Sequence, residues 1–258
     1  MNKIGKEEII GETIHNTRGT AMKIIAARSC SDIDVQFLDE HNFIRKGCAY
    51  VNFKKGNILN PYDKTAYGVG YLGVGKYKTV ETDNPHKSTH VDRAWRNMLR
   101  RCYYEKTSDE FRTYYGICTV CEDWFDFQKF AEWYYSNEYH VDERLHIDKD
   151  ILYPGNKVYS PETCLLVPQR INMLFVNKPN SRGLPNGITK VKNEYEVKYN
   201  AIKIGKYGTL KDACEAYEKQ KDKTIKEIAL EYINIIPSKV YEALMNYHTD
   251  MNYDKNIA

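Results

Sequence analysis

The sequence lacks any run of about 18 apolar residues, which excludes a membrane-spanning helix of ordinary length. The first residues, Met1–Glu8, have no apolar core of the kind that a secretory signal peptide needs. We therefore expect a cytoplasmic protein with no membrane partner. The net charge is only +3, which is too small to identify a nucleic-acid-binding protein by itself.

Cysteines are few and irregularly spaced. The chain has seven of them, and in a reducing compartment this odd number favours small buried side chains over a disulfide framework. Cys118-x2-Cys121 has zinc-ligand spacing, and a tetrahedral site could be completed by Cys102, Cys164, His140 or His146. Because no clear second pair exists, we expect buried thiols and no zinc.

Positive charge is concentrated in the last third of the chain. Residues 178–226 hold 12 Lys/Arg and 6 Asp/Glu, a local excess of +6, so the rest of the chain sums to −3. This distribution predicts a localised surface that faces a polyanion. The 22 tyrosines suit half-buried positions in small β cores, which we favour, or contacts with a nucleic-acid backbone.

The first part of the chain has the alternation of short strands. Residues 24–27, 33–38 and 48–53 are each predicted to be extended, and together they predict a small twisted sheet or barrel. The glycine-rich residues 68–75 are not followed by a Lys-Ser/Thr pair or by a helix start, as a phosphate-binding loop would be. We predict instead a linker or hairpin in which backbones approach closely.

Two capping boxes predict helix starts. Thr89 and Asp92 precede an apolar stripe that runs to Cys102, and Thr209 and Asp212 open a long helix that runs to about Tyr232. Further helices are predicted over 126–137 and after Pro237. Three short strands are predicted over 187–192, 195–199 and 201–203.

The centre of the chain carries many uncommon residues in a fixed order. They are Trp95-x2-Met98-Leu99-x-Arg101-Cys102-Tyr103, Tyr114-Tyr115-Gly116-Ile117, Val120-Cys121-x2-Trp124, Phe127-x2-Phe130, Ile147-Asp148-Lys149-Asp150-Ile151-Leu152, Gly155-Asn156-Lys157, Tyr159-Ser160-Pro161-Glu162-Thr163-Cys164 and Val167-Pro168-x2-Ile171-Asn172. Over roughly residues 67–177 this pattern resembles phage-borne proteins related to HNH endonucleases.

The resemblance implies a ββα unit that holds one divalent ion, Mg²⁺ or another, if the protein cuts. Asp148 and Asn172 match the metal-holding Asp and helix Asn of that family. Lys149, however, stands where the family has its general-base His, and a solvated lysine is protonated at neutral pH. His146, two residues before Asp148 and on the same face of a regular strand, could substitute as the base. Asp150 could also serve, as a base or as a second metal ligand. Lys149 or His146 would then lie against the scissile phosphate.

Residues 183–232 resemble the APETALA2-type DNA-binding domain, through Gly187-Ile188, Tyr195-x-Val197, Ile204-Gly205-x-Tyr207, Thr209-x3-Ala213 and Ala216-Tyr217. The resemblance implies three strands against one helix, with the sheet docked in the major groove of double-stranded DNA. Candidate contacts there are Lys190, Lys192, Asn193, Tyr195, Lys198, Lys203 and Lys206, to which we add Arg96 and Arg100 of the central helix. An ordinary solvated lysine surface is the alternative, and the interpretation depends on the lysines sharing one exposed platform.

The sequence therefore predicts an α+β protein with three parts. They are a small β-barrel or sheet over residues 1–66, an HNH-like ββα unit over 67–180, and a three-stranded sheet plus helix over 181–258. We expect a phage or mobile-element DNA-binding protein of HNH-endonuclease descent in an infected bacterial host, either as a nicking or homing endonuclease or as an inactive binding protein. The inactive form would regulate transcription or inhibit a host defence enzyme, with a host protein as a further partner.

Overall fold

A computed structural model describes residues 8–105, 114–175 and 183–251. The fold is mixed α+β with several small sheets, as the sequence predicts at that coarse level. The chain divides into two compact units, Met1–Glu132 and Trp133–Ala258. The domain boundary predicted at 66/67 stays a prediction, and the one at 180/181 lies outside the described residues.

The first unit begins with a four-stranded antiparallel sheet. Its strands are β1 (Thr13–His15), β2 (Ala21–Ser29), β3 (Asp32–Phe37) and β4 (Ile44–Cys48), paired in chain order. Alternate side chains such as Met22 and Ile24 are fully buried in one core. Because this burial has a period of two residues, the alternation in the sequence predicted the sheet correctly. In the described residues the sheet is open, so the barrel alternative is wrong.

The strand predicted over 48–53 is also wrong. Only Cys48 belongs to a strand, and Tyr50–Lys54 form a short helix, α1, that buries Phe53 in the same core. Val51 stays 56% exposed. A run of this length fits a helix as well as a strand, because it is too short for a period of two to be distinguished from a period of 3.6.

The second half of this unit begins with helix α2 (His90–Tyr103), where the Oγ1 of Thr89 accepts the Asp92 amide at 3.1 Å. Strand β5 (Thr119–Val120), a 3-10 helix (Glu122–Phe125) and helix α3 (Phe127–Asn137) follow, and the residues of α3 up to Glu132 belong to this unit. The buried Trp95 indole donates to the Trp124 carbonyl at 2.7 Å and packs on the Phe127 ring. The cap and both helices confirm the predicted pattern.

The glycine-rich segment does let the backbone approach its neighbours closely, as predicted. A Cβ on Gly70 would lie 2.5 Å from Leu99 Cδ1 on α2. A Cβ on Gly73, whose φ is +65°, would lie 2.3 Å from an oxygen of Asp126. Larger side chains at these two positions would therefore separate the segment from the core.

In the described residues of the second unit, its own strands pair to form two sheets. Strands β6 (Leu145–Asp148) and β8 (Leu165–Pro168) pair antiparallel, with β7 (Val158–Tyr159) between them in the chain and α4 (Gln169–Met173) after them. Strands β9 (Ile188–Val191), β10 (Glu194–Tyr199) and β11 (Ile202–Tyr207) form a sheet with β10 in the centre. Helices α5 (Leu210–Glu231) and α6 (Ser238–Met245) complete the unit.

Helix α5 is long enough to serve two cores. Its first half packs Ala213 and Cys214 against the three-stranded sheet, and its second half packs Ile225 and Ile228 with β8, α4 and α6. Thr209 caps it by accepting the Asp212 amide at 3.1 Å. Among the described residues, no helix combines the length and apolar character that crossing a bilayer requires.

Candidate functional site

The first candidate site is the β6–β8–α4 unit, which has the strand–strand–helix order that the HNH resemblance implies. Asp148 is the last residue of β6 and pairs in register with Leu165 of β8. Asn172 lies on α4, which begins directly after β8. Val167 and Ile171 are fully buried and hold the hairpin and the helix to one core.

The Asp148 carboxylate is turned into the protein. Its Oδ1 accepts the backbone amides of Asp150 and Ile151, both at 2.8 Å, and the residue is only 7% exposed. Burial raises the pKa of Asp148 to about 6, although the two amide hydrogen bonds act in the opposite direction. Asp148 therefore shapes the loop that follows β6.

Lys149, which the HNH resemblance would place at the general-base position, is buried. Its Nζ donates to both carboxylate oxygens of Asp150 at 2.8 Å and to the Asn156 carbonyl at 2.7 Å. The ammonium also lies 5.8 Å from the centre of the Tyr159 ring. Only 4% of the residue is exposed. The ammonium is therefore hydrogen-bonded within its own loop and does not point toward solvent, from which a phosphate would approach.

His146 and Asn172 do come together. The Nδ1 of His146 lies 3.4 Å from the Nδ2 of Asn172. His146 and Asp148 lie on one face of β6, because β6 is a regular strand and they are two residues apart. Two of the four site residues named from the sequence, His146 and Asn172, are thus in contact, while the hydrogen bonds that the structure gives Asp148 go to its own loop.

The fit of a divalent ion to these donors is poor. The Oδ1 of Asp148 is already bound to two amides, and both oxygens of Asp150 are held by Lys149. Hard cations such as Mg²⁺ need several accessible oxygen ligands around them. Within residues 8–105, 114–175 and 183–251, no group of three or more His, Cys, Asp or Glu side chains is placed to hold a metal.

The second candidate site is the open face of the β9–β11 sheet. In the antiparallel register Glu196 lies between Thr189 and Lys206, and Lys198 lies opposite Lys203. Directly opposed residues share a face, and Val197 and Ile188, on the other face, are buried against α5. Lys198, Lys203 and Lys206 therefore project together from the side that α5 does not cover.

The five predicted lysines do not share one platform. Lys190 is opposite Tyr195, on the face that α5 covers, and its Nζ lies 5.9 Å from that ring. Lys192 and Asn193 are exposed at the turn between β9 and β10, where Lys192 has a φ of +57°. The single-platform expectation is wrong for Lys190 because the alternation along β9 sends its side chain to the opposite face from Thr189.

Two glutamates that sequence reasoning missed lie on the open face. Glu196 Oε1 is 3.1 Å from the Lys198 ammonium and its Oε2 is 2.9 Å from that of Lys203. Hydrogen bonds from Lys203 and Lys198 lower the pKa of Glu196 to about 2. Glu194 lies 3.6 Å from Lys206. The period-two spacing of Glu194, Glu196 and Lys198 was the available signal, since it places all three on one face.

The two arginines of α2 that were predicted to contact DNA make different interactions. The Nε of Arg96 donates to the buried Asp92 carboxylate at 2.8 Å, so Arg96 is tied to its own helix. The guanidinium of Arg100 lies 6.0 Å from the Tyr104 ring centre. Neither lies in the same compact unit as the lysines of the sheet.

Comparison with known proteins gives no relative on which to base an assignment. No family model, no curated protein and no solved structure matches this chain. The HNH and APETALA2 resemblances therefore stay expectations from sequence motifs, and any function must be argued from the two sites.

Proposed function

We propose that this chain is a DNA-binding protein of a phage or mobile element that grips duplex DNA with the open face of its three-stranded sheet. The observation that carries the proposal is the projection of Lys198, Lys203 and Lys206 from the face that α5 leaves uncovered. The major groove admits a two-stranded ribbon, and β10 and β11 carry these three lysines. Its ammonium groups gain affinity by displacing phosphate counterions.

In this proposal the β6–β8–α4 unit is a scaffold rather than a nuclease. The Lys149 ammonium fills the general-base position and is held by Asp150 and Asn156. A buried, ion-paired ammonium does not accept a proton from water. The inactive binding protein is therefore better supported than the endonuclease, and transcription control or inhibition of a host defence enzyme stays open within it.

Duplex binding is tested by fluorescence anisotropy on a random-sequence DNA duplex, in salt from about 50 to 200 mM. We expect a dissociation constant on the order of 1–100 μM that weakens steeply with salt. The triple variant K198Q/K203Q/K206Q should bind at least about tenfold more weakly and show a shallower salt dependence, because each lost phosphate contact removes about 0.9 from the slope.

The matched control removes three lysines from α5. K211Q/K219Q/K223Q changes the net charge by the same amount, and these exposed side chains lie on the helix behind the sheet. Equal weakening by the two triple variants would show that only total charge matters and would contradict the proposed face.

A metal-dependent nuclease is the second candidate, and the contact between His146 and Asn172 favours it. It is tested by incubating supercoiled plasmid with the protein and Mg²⁺ or Mn²⁺. We expect no nicking above that of the H146A/D148A variant. Nicking that this double variant abolishes would show that His146 or Asp148 serves catalysis and would overturn the scaffold role.

A further inference from the structure

Glu196 occupies the centre of the proposed DNA-binding face. It lies on β10, the middle strand, and its side chain is 18% exposed, whereas the two lysines that it contacts are 55% and 52% exposed. The carboxylate thus lies below the level of the ammonium groups and holds one from its own strand and one from β11.

A β-bulge makes this double contact possible. The register between β10 and β11 shifts between Val197 and Lys198, so that Lys198 is opposite Lys203 rather than Ile204. Without the shift, strand alternation would send the Lys203 side chain to the face that α5 covers. The backbone irregularity therefore places Lys203 beside Glu196.

We infer that Glu196 restrains Lys198 and Lys203 and thereby weakens the binding of duplex DNA of arbitrary sequence, a role that rests on the proposed function. To reach phosphates, the two ammonium groups must leave the carboxylate. The carboxylate is then left beside the phosphates, which repel it, and it loses its charged partners as water is excluded. Non-specific affinity is lowered by both effects.

Glu194, nearer the edge of the same face, also pairs with a lysine, but more weakly than Glu196 does. It has one lysine partner, Lys206, at 3.6 Å, and its side chain is 53% exposed. Solvent screens a contact of this length and exposure strongly. The chain therefore offers an internal comparison between a central and a peripheral glutamate of the same strand and face.

The experiment measures binding of the full-length E196Q variant to a random-sequence DNA duplex by anisotropy. Glutamine keeps the shape of the side chain and removes the charge. We expect binding about 3–10-fold tighter than wild type at low salt, with a salt slope steeper by about 1–2 because two ammonium groups become available to phosphates. E194Q should give a smaller gain.

Global charge is controlled with E215Q, on α5. Glu215 is exposed and pairs with Lys211 of its own helix at 4.0 Å, so E215Q makes the same charge change away from the sheet. Circular dichroism melts confirm that all three variants are folded. A gain by E215Q equal to that of E196Q overturns the inference, since the effect would then be one of net charge.

The outcomes separate this inference from the proposed function. If wild type and E196Q bind with equal affinity and equal salt slope, Glu196 does not restrain the lysines, while DNA binding stands. If neither protein binds duplex at low salt, both the proposed function and the role of Glu196 fail.

Discussion

Two ionisable residues of this protein, Asp148 and Lys149, are buried, whereas side chains of these types are usually exposed to solvent. The Asp148 carboxyl has a pKa of about 6 because it is buried, and the Lys149 ammonium beside it is buried in an ion pair with Asp150. Removing a carboxylate from water costs free energy that hydrogen bonds only partly offset. At this scale the structure therefore predicts measurable effects of pH on stability.

Folding raises the pKa of Asp148 to about 6. The protonated carboxyl therefore adds to the free energy of unfolding below about pH 4, and this added stability is lost as pH rises through about 6. Asp148→Asn should remove this loss, because the amide oxygen can still accept the Asp150 and Ile151 amides. We expect the variant to gain about 2–3 kcal/mol over wild type between about pH 4 and pH 8. Urea unfolding in EDTA measures the difference.

Asp142→Asn is the control, since that side chain is fully exposed. It should change the free energy of unfolding little at either pH. A stability difference between D148N and wild type that is the same at both pH values would show that burial does not govern the Asp148 carboxyl.

Backbone strain at Ala201 is the second residue-scale feature. Asn200 and Ala201 join β10 to β11 with φ values of +47° and +64°, as in a type I′ turn. An L-residue other than glycine pays about 1 kcal/mol in this region. Ala201→Gly should therefore raise the free energy of unfolding by about 1 kcal/mol, as measured by denaturant titration.

The control for Ala201→Gly is the same substitution in a helix. Ala216→Gly in α5, where the backbone is right-handed, should lower stability by about 1 kcal/mol. Loss of stability at both positions would mean that the turn carries no strain.

The elements of this fold depend on local signals at their ends. Helix α5 is capped by Thr209, whose Oγ1 accepts the Asp212 amide and also donates to the Asp212 carboxylate at 2.7 Å. A carboxylate in the first turn also interacts favourably with the helix dipole. Because α5 contributes to two cores, the stability of its first turn matters to the DNA-binding sheet as well.

Thr209→Ala should destabilise the protein by about 1 kcal/mol, because the amide at the helix start loses its partner. Thr209→Ser keeps the oxygen and should be close to wild type. Thermal unfolding compares the two variants, and hydrogen exchange of the first turn of α5 should rise in T209A alone. Equal destabilisation by serine would assign the effect to the lost methyl group instead of the cap.

The whole molecule consists of two compact units with separate cores. Ile24 is fully buried in the core of the first sheet, and Leu244 is fully buried in the core shared by β8, α4, α5 and α6. Cores that share no residues lose stability independently when each is truncated. The proposed DNA-binding face belongs to the second unit.

Ile24→Ala and Leu244→Ala should each cost about 2–4 kcal/mol in their own unit. Hydrogen exchange with mass spectrometry should show faster exchange over residues 9–58 in I24A and over residues 145–175 and 183–244 in L244A. Only L244A should weaken duplex binding near its unfolding temperature. Faster exchange throughout the chain in either variant would mean that the two units unfold as one.

Part of this organisation could be predicted from the sequence. The caps at Thr89 and Thr209 and the strands β9 and β10 depend on contacts within a few residues, so residue spacing specifies them. The glycine-rich composition indicated a close approach at Gly70, but the neighbours themselves, Trp95 and Leu99, lie on α2 and were specified only by the tertiary structure. The helix at Tyr50–Lys54 could not be separated from a strand, because its run is too short for the two periods to differ.

The order Asp148–Asn172 along the chain and the lysine content of the last third were determined by the sequence itself. Tertiary structure decided what those groups can reach. The partners of Lys149 include a carbonyl seven residues away, at Asn156, and the pairing of Glu196 with Lys203 depends on a bulge between two strands. Such contacts require a fixed loop path and strand register, and local propensity specifies neither.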